Sequence, residues 1–88
     1  MGLAQARLGD RTDHGGTIIS GSLRTLINGI PAARKGDLHS CPIPGHGVTP
    51  IVTGSANVTI EGQPAARTGD ITECGAVIIS GSPDTEVG

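Results

Sequence analysis

The chain has no aromatic side chains: its 88 residues include no Phe, Trp or Tyr. The residues that usually contribute most to core burial are therefore missing. A domain of this length buries only about 60% of its unfolded surface, so its core alone gives marginal stability. We therefore expect one small domain over residues 1–88 that needs a further source of stability, such as a bound metal.

Long apolar runs and a strong charge imbalance are also missing. No apolar run approaches the roughly 20 residues that a membrane-spanning helix requires. A net charge of −2 does not favour nucleic acid or an anionic membrane as partner. The segment after Met1 has no apolar signal-peptide region, which predicts synthesis in the cytoplasm without a secretory signal.

Three copies of one sequence unit fill the chain. Each copy opens with Gly-Asp and has Gly-Ser near its middle. The openings are Gly9-Asp10, Gly36-Asp37 and Gly69-Asp70, and the middle pairs are Gly21-Ser22, Gly54-Ser55 and Gly81-Ser82. A repeat of this kind indicates one supersecondary unit used several times. Three units in one chain predict a body with pseudo-threefold symmetry.

The units favour short strands. Fifteen glycines and six prolines disfavour long helices, and the Val, Ile and Thr content favours strands. A first strand is predicted before each Gly-Ser pair, at residues 17–20, 50–53 and 76–80, and a second strand after it. Asn28-Gly29 and Glu61-Gly62 predict hairpin turns. The expected fold is all-β, a small cone of three pseudo-threefold short-strand repeats.

All histidines and cysteines fall in one region of the repeat. His14, Cys41 and Cys74 each lie four residues after the Asp of a Gly-Asp pair, and His39 and His46 flank the middle one. A pseudo-threefold axis would bring these side chains to one end of the molecule. Closed four-coordinate sites of His and Cys are typical of structural zinc. The spacing leaves open which of the five is not a ligand, and iron is the alternative metal.

The second unit supports this interpretation. Sixteen residues separate its Gly-Asp from its Gly-Ser, against ten in the other two units. The insertion of six residues lies around residues 40–46, and it contains or adjoins two of the three histidines and one of the two cysteines. Arg34 and Arg67, each one residue before a Gly-Asp turn, are interpreted as partly buried arginines that bond the turn carbonyls or the nearby Asp.

A zinc enzyme is the main competing class. Glu73 adjoins Cys74 and could act as the general base that such a site needs. Catalytic zinc keeps an open position, however, whereas four or five candidate ligands predict a closed site. We expect no enzymatic activity.

The motifs resemble those of the PAAR-repeat family. The word Pro-Ala-Ala-Arg is intact at residues 31–34 and 64–67, a worn version precedes the first unit at residues 4–7, and the resemblance extends from residue 6 to 88. It implies a pointed β-cone that caps a trimeric VgrG-type spike of a type VI secretion system, one tip per trimer. The alternative is the tip of the central spike in a contractile phage or phage-derived tail.

The resemblance also implies a ligand set and partners. One structural Zn²⁺ per chain would lie near the apex, held by His14, His39, His46 and Cys74, with Cys41 as the alternative ligand. Effector cargo would bind without a covalent link, because the chain has no room for a fused effector extension. The tip would leave the cell on a contractile injection machine, pierce a membrane mechanically and contact it only transiently.

The first strands supply candidates for docking on the spike. Their aliphatic side chains cannot all be buried in so small a cone, so some of them, or those of the second strands, should form an apolar base. Exposed patches of this kind usually mark protein interfaces. The candidates are Ile18, Ile19, Ile51, Val52, Ile78 and Ile79.

Overall fold

Residues 2–88 fold into nine short β-strands. We describe a computed structural model of residues 2–88, which measures 33 × 25 × 22 Å along its principal axes. The strands are β1 (Leu3–Ala4), β2 (Thr17–Ile18), β3 (Leu26–Ile27), β4 (Ile30–Pro31), β5 (Leu38–Ser40), β6 (Val48–Pro50), β7 (Thr59–Ile60), β8 (Gln63–Pro64) and β9 (Glu86–Val87). Residues 2–88 contain no α-helix, and hence no helix that is long and apolar enough to cross a membrane. The all-β prediction is confirmed.

Two tight hairpins form where the sequence predicts them. β3 pairs with β4 across Asn28-Gly29, and β7 pairs with β8 across Glu61-Gly62. All four turn residues have positive φ, 57° and 78° in the first turn and 50° and 81° in the second. A two-residue turn that matches the twist of its strands requires this conformation, and Asn and Gly adopt it at low cost. Glu61 adopts it less readily, so this turn carries some backbone strain.

The third hairpin position is filled by the two ends of the described chain. β1 pairs antiparallel with β9, with Leu3 opposite Val87 and Ala4 opposite Glu86. In the repeat, β1 corresponds to β4 and β8, and β9 corresponds to β3 and β7. Residues that precede the first unit therefore complete the last unit. This explains why a degenerate copy of the Pro-Ala-Ala-Arg motif is present at residues 4–7.

A threefold layer of alanines and isoleucines forms the centre. Ala6, Ala33 and Ala66 are 0% exposed, and their backbones bond in a closed cycle. The Ala6 amide donates to the Ala66 carbonyl, Ala66 to Ala33, and Ala33 to Ala6, at 2.9, 3.0 and 2.9 Å. Ile18, Ile51 and Ile78, each 1% exposed, pack around them. These alanine side chains are fully enclosed, so a larger side chain at any of the three positions would overpack the layer.

The core placement divides the candidates for docking. Ile18, Ile51 and Ile78 are buried and cannot form part of an apolar docking face. Their neighbours Ile19, Val52 and Ile79 remain 46%, 39% and 59% exposed. Side chains of adjacent residues in extended chain point to opposite sides, which explains the division.

A second cycle of hydrogen bonds links each unit to the next. The hydroxyls of Ser20, Thr53 and Ser80 donate to Asp37, Asp70 and Asp10 at 2.9, 2.7 and 2.9 Å. Each of these aspartates also accepts hydrogen bonds within its own Gly-Asp turn. Arg34, for example, donates from its backbone amide and its Nε to Asp37 Oδ2, at 2.7 and 3.0 Å.

The predicted role of Arg34 and Arg67 is confirmed. Arg67 Nε donates to Asp70 Oδ2 at 3.1 Å, equivalent to the Arg34–Asp37 contact. The hydrogen bonds to Asp37 and Asp70 are the main reason that the pKa of each guanidinium is raised above its ordinary value, against the opposing effect of desolvation. Both arginines thus stabilise turns.

The first strands are shorter than predicted. Of residues 17–20 only Thr17–Ile18 is strand, and residues 76–80 form only isolated bridges. Successive residues here bond different segments: the Ile18 amide donates to Asp10, and the Ile19 amide donates to Leu38. The segment is therefore shared between two neighbouring segments of the chain.

Candidate metal centre

Tight hairpin tips in the first and third units present two of the candidate ligands. Bridges between Arg11 and Thr17 and between Ile71 and Val77 close these tips. Gly15 and Gly75 turn the chain with φ of 80° and 88°. His14 and Cys74 immediately precede these glycines and are half-buried. Equivalent turns therefore bring a histidine and a cysteine to the same end of the molecule.

The second unit reaches the same place with a longer hairpin. β5 and β6 pair from Leu38–Pro50 to Ser40–Val48, and the inserted residues form the loop between them. Two backbone hydrogen bonds close the loop. The Cys41 amide donates to the Gly47 carbonyl at 2.9 Å, and the His46 amide donates to the Ile43 carbonyl at 3.0 Å. The insertion thus adds His46 beside Cys41.

Four side chains converge at these tips. His14, Cys41, His46 and Cys74 each offer one ligand atom, and the four atoms lie within 4.8 Å of one another. Cys41 Sγ is 3.8 Å from His14 Nδ1 and 3.5 Å from His46 Nδ1. The two imidazole rings lie with their centroids 5.2 Å apart. Neither cysteine forms a disulfide within residues 2–88.

The pKa of the Cys74 thiol is lowered to about 5. Burial by itself would raise this pKa, because it disfavours the charged thiolate. Hydrogen bonding outweighs burial and favours the thiolate, and the Thr72 hydroxyl, 3.2 Å from Cys74 Sγ, contributes most. A thiolate is the form in which cysteine binds metal.

His39 lies outside this group. Its side chain is 0% exposed, and its Nε2 shares a hydrogen bond of 2.8 Å with Thr12 Oγ1. A Cβ on Gly16 would overlap His39 Nε2, so the ring packs directly on the first hairpin. His39 is the repeat equivalent of Thr12 and Thr72, which are also buried. Its Nδ1 has no hydrogen-bond partner in the described part of the chain.

The structure therefore brings together four of the five candidate ligands. It includes Cys41, which the family resemblance implies only as the alternative, and it leaves out His39. Sequence reasoning missed the threonines beneath the group, Thr12, Thr49 and Thr72. Repeat equivalence to His39 was the available signal for Thr12 and Thr72.

The donor set suits a metal ion. Two imidazoles and two thiols within one small sphere match the ligands that zinc prefers in closed sites. Thr49 Oγ1 is buried and lacks a hydrogen-bond partner within residues 2–88, and isolation of this kind costs about 1–3 kcal/mol.

Glu73 is placed away from the converging side chains. It is exposed, and its carboxylate is not one of the grouped ligand atoms. Its amide donates to the Pro50 carbonyl at 2.9 Å. Residues 2–88 enclose no detectable pocket.

Comparison with known proteins supplies the family. A search of the curated proteins finds no match. The family model for the PAAR motif matches residues 8–80, which covers all three Gly-Asp openings and the four converging side chains. Since the match spans most of the chain and agrees with the repeats, turns and His/Cys group described above, the chain belongs to the PAAR-motif family.

Proposed function

We propose that this protein is the structural tip of a contractile injection machine, where it caps a trimeric VgrG-like spike. The observation that carries the proposal is the threefold backbone of a single chain. The alanine cycle and the hydroxyl–aspartate cycle each consist of three equivalent hydrogen bonds, one from each unit. A single chain presents equivalent contacts to three identical subunits only if its own backbone is threefold.

The four converging side chains are proposed to hold one structural Zn²⁺ per chain. His14, Cys41, His46 and Cys74 would provide a closed site at the end formed by the hairpin tips. Among residues 2–88, neither buried apolar cluster includes a residue of these tips. A metal can replace a core in so narrow a region, since structural zinc contributes on the order of 10 kcal/mol in the smallest domains.

Metal analysis of variants tests the ligand set. We expect about one zinc per purified chain, as for a closed structural site, with strong loss in Cys41→Ala and Cys74→Ala. His39→Gln is the matched control: it is expected to lower stability while zinc remains. Retention of zinc by Cys41→Ala together with its loss from His39→Gln would instead favour the set that includes His39.

Three equivalent aliphatic residues are proposed to contact the spike. Ile19, Val52 and Ile79 occupy the same position in the three units, and all are exposed. A ring of this kind presents the same apolar contact to every subunit of a trimer. By contrast, Leu23 is 93% exposed, but its equivalents are Ala56 and Pro83, so this apolar contact is not repeated.

A binding assay with a purified trimeric VgrG-type spike tests the interface. Ile79→Asp is expected to weaken binding at least tenfold, since it places a charge in an apolar contact. Leu23→Asp is the control with an equally exposed aliphatic residue and is expected to bind normally. Equal weakening by both variants would assign the contact to another face, and no binding by the wild-type chain would contradict the spike partner.

The remaining parts of the proposal follow from the family. The protein would be made in the cytoplasm and exported at the tip of the machine, with effector cargo bound to it non-covalently and with transient membrane contact. We propose no catalytic role, since the family is known for structural tips. A phage or phage-derived tail would use the same chemistry and is the alternative setting.

A further inference from the structure

The two cysteines occupy equivalent repeat positions but have different neighbours. Within residues 2–88, the hydrogen-bond neighbours of Cys41 Sγ are imidazole nitrogens, those of His14 and His46. Cys74 Sγ lies 3.2 Å from the hydroxyl of Thr72. In this part of the chain, therefore, Cys74 has a hydroxyl neighbour and Cys41 has none.

The direction of the Thr72 hydrogen bond follows from its other contact. The Ala76 amide donates to Thr72 Oγ1 at 3.2 Å. A hydroxyl has one proton and two lone pairs, and Cys74 Sγ is the only other hydrogen-bond neighbour of this oxygen in the described residues. Thr72 satisfies its own proton only by donating to the sulfur. The geometry thus makes Cys74 an acceptor, as a thiolate is.

We propose that Thr72 is a positioning residue of the metal centre, which donates its hydroxyl proton to the Cys74 thiolate. The proposal rests on the metal site proposed above. The donated proton fixes the orientation of the Cys74 side chain and withdraws electron density from its sulfur. Partners of this kind, behind the ligands themselves, typically change metal affinity 10–100-fold when removed. Cys41, without a hydroxyl donor, would bind as the more electron-rich thiolate.

The test uses Co²⁺ as a coloured replacement for Zn²⁺. Thr72→Val keeps the size of the side chain and removes the hydroxyl. We expect a 10–100-fold weaker Co²⁺ affinity and a shift of the thiolate-to-metal charge-transfer band to lower energy, because the sulfur becomes more electron-rich. Thr72→Ser restores the hydroxyl and should restore both values. Thr72→Ala also removes the hydroxyl, without a methyl group in its place; it should move the band in the same direction and carries the test if Thr72→Val fails to fold.

Thr12→Val is the matched control. Thr12 is the repeat equivalent of Thr72, equally buried, but its hydroxyl bonds His39 instead of a proposed ligand. It should lower the melting temperature without moving the charge-transfer band. If Thr12→Val and Thr72→Val have equal effects on the band, or neither moves it, the positioning role is overturned while the metal site stands. If the wild-type chain binds no Co²⁺ or Zn²⁺, the metal site itself fails, and the positioning role fails with it.

Discussion

Two regions built from the same three units differ in how far they keep the threefold symmetry. One is the central layer of alanines and isoleucines, and the other is the metal end, the hairpin tips that carry His14, Cys41, His46 and Cys74. In the central layer the equivalent residues are identical: three alanines and three isoleucines. At the metal end the equivalents are His14, Cys41 and Cys74, with His46 added by an insertion in one unit only.

The difference shows which requirement applies to each region. The central layer packs its alanines and isoleucines with almost no exposure, so each of its positions accepts one size of side chain. The proposed metal site would need four ligands, whereas a threefold arrangement supplies three. The fourth ligand would therefore require a departure from symmetry, and His46 in the insertion is placed to supply it.

Metal removal should lower the stability of the chain most, and it should act on the metal end alone. With free metal at a thousandfold excess over its dissociation constant, binding contributes about 4 kcal/mol, or roughly 15–30 °C in the melting temperature of a chain this size. We expect a chelator to lower the melting temperature accordingly, measured by circular dichroism. An unchanged melting temperature would show that the metal end does not depend on metal.

A cavity in the central layer should cost nearly as much. Ile51→Ala removes a side chain that is 1% exposed and should destabilise the fold by about 2–5 kcal/mol in chemical denaturation. Val52→Ala, its exposed neighbour, is the control and should cost less than about 1 kcal/mol. Similar losses from both would mean that the isoleucine layer is not the core.

Breaking one link of the hydroxyl–aspartate cycle should have an intermediate effect. Ser20 donates to Asp37 and accepts from the Leu38 amide at 2.8 Å, so Ser20→Ala removes two hydrogen bonds. The expected loss is about 1–3 kcal/mol, at about 0.5–1.5 kcal/mol for each bond, and Ser20→Thr should keep most of the stability because Thr53 fills the equivalent position. Zinc content should be unchanged in both variants. Loss of zinc from Ser20→Ala would show that the two regions are coupled.

The smallest effect is expected at Leu23. This side chain is almost fully exposed, so Leu23→Ser should change the free energy of unfolding by no more than about 0.5 kcal/mol. A larger loss would indicate that Leu23 is buried in solution, for example against a second copy of the chain. Sedimentation of the wild-type protein would then separate the two explanations.

Much of the fold follows from the sequence because the repeat is visible in it. The Gly-Asp pairs, Asn28-Gly29 and Glu61-Gly62 determine where the chain turns, and the recurrence of the Gly-Asp and Gly-Ser pairs predicts the threefold body. The closure by β1 and β9 is harder to predict, since the relevant motif at residues 4–7 is degenerate. It becomes clear only when Leu3 is found opposite Val87.

The metal end shows where sequence reasoning is limited. Both His39 and Cys41 are close to the right place, and they lie two residues apart. Comparison of the repeats places Cys41 with His14 and Cys74, whereas the family resemblance favours His39. The structure separates them because His39 is drawn inward to Thr12. Such packing depends on Gly16 in a different unit, which no local pattern reveals.

The pairing of β1 with β9 has a consequence for chain connectivity. The hairpins at Asn28-Gly29 and Glu61-Gly62 and the β1–β9 pair are three versions of one joint, two of them covalent and one held by hydrogen bonds. A circular permutant that links residue 88 to residue 2 through a short glycine segment and opens the chain between Asn28 and Gly29 should therefore fold to the same body. The fold would then not depend on which of the three joints is left open as the chain termini.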